Sequence, residues 1–330
     1  SGHFAGLNSS SIFFDSAKKM KSNIKKFHLD NGLRVILMQR KNSPTLALYM
    51  KFKGGSVDET AETAGTAQLL EHMMFKGTKN VGTKDFKKEA KYQEEIRLVG
   101  RQLDKLRLRA RDIEAKGNSI SAELKEKIAN FSKKLKNLED LQRNLLIKNE
   151  DAYIYDQHGQ VGFNAYTTHD VTNYQIELPK NRLEIWAKIE SDRLRGPVFR
   201  EYYTEREVII EERRMRVDNR GTGRLREKFL SVAFEEHPYR RPVIGYESNI
   251  GFLDIEETEK FFRQFYVPNN FVITIVGDQD FSVTEKIIRK YFSDLKAGNT
   301  PTRSRMSEKA GGGEKRFEIT FPWSTFSSIR

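Results

Sequence analysis

The run Gly65-Thr66-Ala67-Gln68-Leu69-Leu70-Glu71-His72-Met73-Met74-Phe75-Lys76-Gly77-Thr78 decides how the rest of this chain is read. Ala67, Leu70 and Met74, together with Leu69 and Met73, recur at three- and four-residue spacing, which predicts a helix. Gly77 is placed to end it. Glu71 and His72 fall in its last turns, so an acid and an imidazole sit side by side on a segment that is otherwise apolar enough to be buried.

Four residues separate Gln68 from His72, which puts both on one helical face, and Glu71 stands three residues after Gln68. This is the spacing of the inverted zinc motif H-x-x-E-H, in which two histidines hold the metal and the glutamate polarises a bound water. Here the first ligand position is Gln68, and the sequence reads Q-x-x-E-H. A neutral amide oxygen is a much poorer partner for zinc than an imidazole nitrogen. On these five letters alone, an ordinary core helix with a chance acid–histidine pair is the plainer reading.

Apart from the glutamine, Ala67 to Lys79 resembles the active-site helix of the pitrilysin and insulinase family of zinc metallopeptidases. A second element then belongs downstream, and Thr204-Glu205-Arg206-Glu207-Val208-Ile209-Ile210-Glu211-Glu212 resembles that family's E-R-x-x-V-x-x-E helix. The resemblance implies Glu71 as general base, His72 and Glu212 as metal ligands, and Gln68 as a weak or absent third. It also implies Glu205, seven residues before Glu212 and on the same helical face, as the carboxylate that orients a ligand. Without the resemblance this acidic helix reads as a solvated face. Gly162-Phe163-Asn164-Ala165-Tyr166-Thr167-Thr168 resembles the family's N-A-x-T edge strand, which implies that Asn164 and Ala165 bind an extended peptide by strand addition; an ordinary hairpin strand is the plainer reading. The implied fold is α+β, a mostly antiparallel sheet covered by helices that forms half of a metallopeptidase clamshell.

The chain of 330 residues can bury a sizeable core. It has no cysteine, which excludes disulfides and thiolate metal sites but leaves the compartment open between a periplasm and a cytoplasm. Its longest apolar runs are too short to span a bilayer. It begins Ser1-Gly2-His3, which reads as a tag remnant or a processed end. The net charge of +12, from 58 basic and 46 acidic residues, raises nucleic acid as a partner. The distribution argues against it: 18 basic and 12 acidic side chains fall between Lys84 and Glu150, so half of the excess lies in one segment where the signs alternate.

Taken in order, residues 1–24 read as a polar lead-in and 25–296 as one peptidase-like domain. Strands flank the turn Asp30-Asn31-Gly32, and a third runs from Thr45 to Phe52 and ends at Gly54-Gly55-Ser56-Val57-Asp58-Glu59, which follows the family's G-G-S-x-x-E. Tyr92, Ile96, Val99, Leu103, Leu106, Ala110 and Ile113 alternate steps of four and three, a coiled-coil seam. After Lys116-Gly117-Asn118-Ser119 the rhythm resumes in Leu124, Ile128, Phe131, Leu135 and Leu138. This predicts an inserted antiparallel two-helix arm over 84–150, projecting over residues 86–147, each arm about 40 Å long. The insertion explains why Glu212 follows His72 by 140 residues: without those 67 the separation is 73, near the family's usual one. Helices are expected over Arg182 to Leu194 and Ser282 to Leu295, a strand over Phe271 to Val276, and structural turns at His237 to Gly245 and Tyr266 to Asn270. Residues 297–314 read as a linker, and 315–330, opening with a strand over Lys315 to Phe321, as the start of a truncated second homologous domain.

Three functions follow from these residues. The first is a zinc metallopeptidase that binds extended peptides, its proteolysis impaired by Gln68. The second is a non-catalytic partner subunit that keeps the fold and the peptide cavity. The third is a basic helical-hairpin scaffold for nucleic acid or partner helices. Rescue of the site by His158 or His169 is the poorer expectation, because a lone loop histidine is usually solvated.

Overall fold

Alternating burial along six strands builds the sheet that carries everything else. The computed structural model describes residues 21–303, 307–308 and 313–321. The lead-in up to residue 20 and the end of the chain from 322 lie outside the described residues. Strands β1 (Ile24–His28), β2 (Arg34–Gln39), β3 (Thr45–Phe52), β4 (Val161–Thr167), β5 (Thr172–Pro179) and β6 (Phe271–Gly277) form one sheet in the order β1-β2-β6-β3-β5-β4. β2 and β6 are parallel and every other pair is antiparallel. Leu46, Leu48, Met50 and Phe52 of β3 pair across with Ile275, Ile273 and Phe271 of β6 and with Leu178, Ile176 and Tyr174 of β5, and all are buried. The intervening residues of β3 and β6 remain partly exposed.

Helices cover the buried side. They are α1 (Thr66–Met73), α2 (Phe86–Ala115), α3 (Ala122–Arg143), α4 (Glu150–Gln157), α5 (Leu183–Arg195), α6 (Tyr202–Arg213), α7 (Gly221–Ala233), α8 (Glu247–Ile250), α9 (Ile255–Phe265) and α10 (Phe281–Phe292). Trp186 of α5 meets Phe292 of α10, and Phe52 stacks on Tyr266 at 4.2 Å between ring centres. The predicted hairpin, third strand, motif helix and final helix are all present. α9 had a legible start in Asp254, whose carboxylate caps the N–H groups of Glu256 and Glu257, and an apolar face of Ile255, Phe261 and Phe265. α7 buries none of its side chains, so it carries no core pattern to read. Among the described residues no helix is long and apolar enough to cross a membrane.

The helical insertion departs from its expectation. α2 and α3 are antiparallel, with Gln142 bonded to Gln93 at 2.6 Å near the base and Arg107 to Ser132 at 3.4 Å further out. Ile96, Val99 and Leu103 of α2 and Leu135 and Leu138 of α3 are buried in the common hydrophobic core. Yet α2 does not project as a free arm. A second face of α2 is charged and lies along the body: Arg97 holds Glu259 at 2.7 Å, Arg101 holds Asp254 at 2.9 Å, and Arg111 sits 4.8 Å over the ring of Phe252. Periodicity shows the apolar seam but not which charges find partners. Lys315 to Phe321, expected as a strand, is irregular; Lys315 donates to the carbonyl of Val232 at 3.2 Å instead of pairing in a ladder.

Close packing of α2 on α6 rests on Gly100, where a Cβ would lie 2.1 Å from Cζ of Tyr203. Gly100→Ala is expected to lower stability by about 1–3 kcal/mol through overpacking, read as a reduced urea midpoint. Pairing it with Tyr203→Ala should return part of that loss. A wild-type midpoint for the single variant would mean that Tyr203 moves aside freely.

Candidate metal centre

Helix α1 begins where Glu59, from the Gly54–Glu59 run, turns its carboxylate onto the backbone N–H groups of Gly65 (3.0 Å) and Ala67 (2.7 Å). Burial pushes Glu59 up to about 8 against those two donors. The helix tightens into a 3₁₀ turn over Met74–Lys76 and stops at Gly77. There φ is +85°, and a Cβ would lie 2.3 Å from the Val81 carbonyl oxygen, so only glycine fits.

Gln68, Glu71 and His72 share one face of α1, and α6 supplies Glu205 and Glu212 opposite them. His72 Nδ1 lies 2.9 Å from Glu205 Oε1, and because a carboxylate only accepts, Nδ1 donates. His72 Nε2 lies 3.5 Å from Glu212 Oε2 and 3.3 Å from Gln68 Nε2. A protonated ring needs an acceptor there, which turning the Gln68 amide over supplies. Three residues outside the sequence expectation complete the cluster. Thr167 of β4 donates to Glu71, Lys76 holds Glu205 at 2.6 Å, and Arg216 holds Glu212 Oε1 at 2.7 Å. Thr167 closes the N-A-x-T run and Arg216 follows Glu212 by four residues, so both were within reach of the sequence; Lys76 became a partner of Glu205 only through tertiary structure.

The electrostatics follow from these contacts. Burial alone would pull His72 down, but hydrogen bonds and charges from Glu205 and Glu212 push it up to about 9. Burial raises Glu71 above the usual carboxylate range, opposed by Thr167 and His72. Burial opposes ionisation of Glu205 and Glu212 too; His72 with Lys76 holds the first below its ordinary value, and His72 with Arg216 the second. A histidine raised above its free value of 6.5 adds stability that is complete below that pH and is lost as pH rises through about 9. The two lowered glutamates add stability that is lost as pH falls through their folded pKa. In EDTA, the unfolding free energy should therefore drop by about 1–3 kcal/mol on the alkaline limb, and by much less in His72→Gln. Identical alkaline limbs in the two proteins would show that the glutamates do not hold the imidazolium.

A zinc ion would take its ligands from Gln68, His72 and Glu212. Glu212 Oε2 is buried with only its long 3.5 Å contact to His72 Nε2, an under-satisfied acceptor of the kind a metal serves. The donor set is nevertheless short by one strong ligand, and among the described residues no group of three or more histidines and carboxylates is placed to hold a metal. With one imidazole, one carboxylate and one neutral amide, the residues present do not fit the three strong ligands that zinc takes in hydrolytic sites.

Asn164 and Ala165 lie on β4, the outer strand of the sheet, paired on its inner side with Gln175 and Tyr174. A bulge separates Val161 from Asn164, and the Asn164 side-chain oxygen accepts the Ala165 N–H at 2.9 Å. The edge thus stands beside Glu71 through Thr167. His169 is engaged elsewhere, 3.1 Å from the Arg241 carbonyl oxygen and against the ring of Tyr239. His158 caps the end of α4.

Comparison with known proteins shows the family and the fold. The family model described as insulinase (peptidase family M16) matches residues 34–103 and 150–247, and the peptidase M16 inactive domain matches 253–325. The zinc protease PqqE of Helicobacter pylori is 25% identical over 271 residues, 81% of this chain and 46% of that protein. The probable zinc protease PqqL of Escherichia coli is 25% identical over 298 residues, 88% of this chain and 25% of that protein. The chain thus spans half or less of the length of these relatives. The crystal structure of a protease from Helicobacter pylori shares the fold, with a TM-score of 0.63 at 23% identity over 87% of this chain and 54% of that one. With the matched segments carrying both glutamate-bearing helices and the edge strand between them, this chain belongs to the insulinase family of peptidases, M16.

Proposed function

We propose that the chain holds extended peptides on the β4 edge, and that its own peptide hydrolysis is impaired because Gln68 stands at the first ligand position. The observation that carries this reading is the convergence of Gln68, Glu71, His72 and Glu212 beside an outer strand, linked to it by the Thr167–Glu71 hydrogen bond. A peptide adding to β4 would align its backbone with Asn164 and Ala165, displacing the Asn164 side chain from the Ala165 N–H. Glu71 is the group suited to handle a proton, since burial raises it above the ordinary carboxylate range and Thr167 fixes its orientation. His72 is oriented by Glu205, which is fixed in turn by Lys76.

The non-catalytic partner reading is favoured by Gln68 itself, which leaves peptide binding intact while removing a ligand. Both readings require the edge, so peptide binding is tested first. A fluorescent extended peptide should bind the wild-type chain, and Ala165→Pro, which removes the N–H from the edge, should weaken it about tenfold, the equivalent of one good hydrogen bond. Equal binding by both proteins would remove the edge from the function. Binding of a DNA duplex that falls steeply with salt, without peptide binding, would favour the basic scaffold instead.

A further inference from the structure

We infer that helix α2 is a splint that sets the separation of α1 and α6, with Glu89 and Asp104 as positioning residues for the candidate centre. The two helices that carry Gln68, Glu71, His72, Glu205 and Glu212 come from distant parts of the chain, and at the centre they meet through His72–Glu205, His72–Glu212 and Lys76–Glu205. His72 retains 22% of its side-chain exposure, and its bonds to Glu205 and Glu212 require the helices to be held at a fixed spacing. α2 reaches α6 directly through Asp104 and the end of α1 through Arg200, both by buried charge.

At one end, Glu89 accepts from Arg200 Nε at 2.6 Å and Nη2 at 3.1 Å, with both side chains buried. Arg200 spends its remaining N–H groups on the carbonyls of Lys76 (2.8 Å), Thr78 (2.6 Å) and Val81 (3.1 Å), the turn that ends the motif helix. It also stands two residues before α6, so a single guanidinium joins α2, the end of α1 and the start of α6. Fifteen residues along α2, Asp104 takes Nη1 and Nη2 of Arg206 at 2.7 and 3.0 Å. Arg206 is the neighbour of Glu205, and its Nη1 also donates to the Leu253 carbonyl at 3.0 Å. Between the two anchors, Gln93 donates to the Phe199 carbonyl at 2.9 Å and Gly100 admits the Tyr203 ring. A bidentate arginine–carboxylate pair fixes orientation as well as distance. Two of them on one helix leave α6 little freedom to slide or roll relative to α1.

The family match stops at residue 103 and resumes at 150, so Asp104 and all of α3 belong to the segment outside it. The segment outside the match therefore contributes one of the two anchors directly, and α3 backs the other through Gln142, which donates to Glu89 at 3.3 Å. This role holds whether or not zinc is bound.

The reporter is the His72 ring N–H that faces Glu205, observed by NMR in the ¹⁵N-labelled full chain in EDTA and assigned with His72→Gln. Asp104→Asn and Glu89→Gln are each expected to move that signal and to speed its exchange with water about tenfold, as the helices open relative to each other. Arg206→Lys keeps a cation for Asp104 and should give an intermediate change. Leu138→Ala, in the α2–α3 seam, should lower the thermal midpoint and leave the His72 signal in place. If Asp104→Asn and Glu89→Gln lower the midpoint as Leu138→Ala does, with His72 signals and exchange unchanged, the ion pairs are only structural and the inference fails. Should either variant not fold, Arg206→Lys decides: a wild-type His72 signal overturns the splint. Because no zinc and no peptide enter the measurement, this outcome is separate from that of the peptide-binding and metal experiments.

Discussion

Replacing Gln68 with histidine is expected to strengthen zinc binding by about 100-fold or more, since even the loss of groups that only support a ligand commonly costs about 10 to 100-fold. The geometry for that gain is in place. Gln68 is one helical turn before His72 on a buried face, its amide lies 3.3 Å from the His72 ring, and Glu212 presents an oxygen 3.5 Å from the same ring nitrogen. The substitution supplies a neutral imidazole where a neutral amide stands, so the surroundings need not absorb a new charge. Zinc binding must also displace the proton that Glu205 and Glu212 hold on His72, which makes the affinity of either protein rise with pH up to about 9. Elemental analysis after dialysis should find zinc retained by Gln68→His and largely lost from the wild type. A quenched peptide should be cleaved by Gln68→His, and cleavage should vanish when Glu71→Gln is added. Stoichiometric zinc in the dialysed wild type, with cleavage that depends on Glu71, would show that glutamine serves as a ligand and that the impaired reading is wrong.

Arg200→Ala should be the most destabilising single change in the helices around the centre. Its side chain is 2% exposed, its partner Glu89 is fully buried, and three carbonyls of the α1 turn accept from it. Removing one member of a buried pair leaves the other charge desolvated and unpaired, which costs about 3–5 kcal/mol. The carbonyls of Lys76 and Thr78 lose this donor and add to that wherever water does not reach them, while that of Val81 keeps the Thr78 N–H at 2.9 Å. Urea unfolding followed by circular dichroism measures the loss. Glu89→Gln combined with Arg200→Met, which removes both charges, should be less harmful than Arg200→Ala alone. A loss below about 1 kcal/mol for Arg200→Ala would mean that water enters and solvates Glu89.

The sequence by itself determined the elements whose signal is local. Period-two burial in β3, the Asp30–Gly32 turn, the apolar spacing of the motif helix, and the four-and-three seam of α2 and α3 are all written in neighbouring residues, because strands and helices repeat their faces at fixed intervals. The motif letters also placed Gln68, Glu71, His72, Glu205 and Glu212 as the group to look for, together with Asn164 and Ala165. Tertiary structure alone decided what those residues touch. Lys76 reaches Glu205 and Thr167 reaches Glu71 across helices and strands that no spacing rule connects. It also decided that the inserted helix lies along the body rather than standing free. Arg97, Arg101 and Asp104 look in sequence like the solvated face of a coiled coil, and only the positions of Glu259, Asp254 and Arg206 turn that face into an interface. The physical reason is range: hydrophobic periodicity is fixed within one element, whereas a charge takes its role from whichever opposite charge the fold brings within a few ångströms of it.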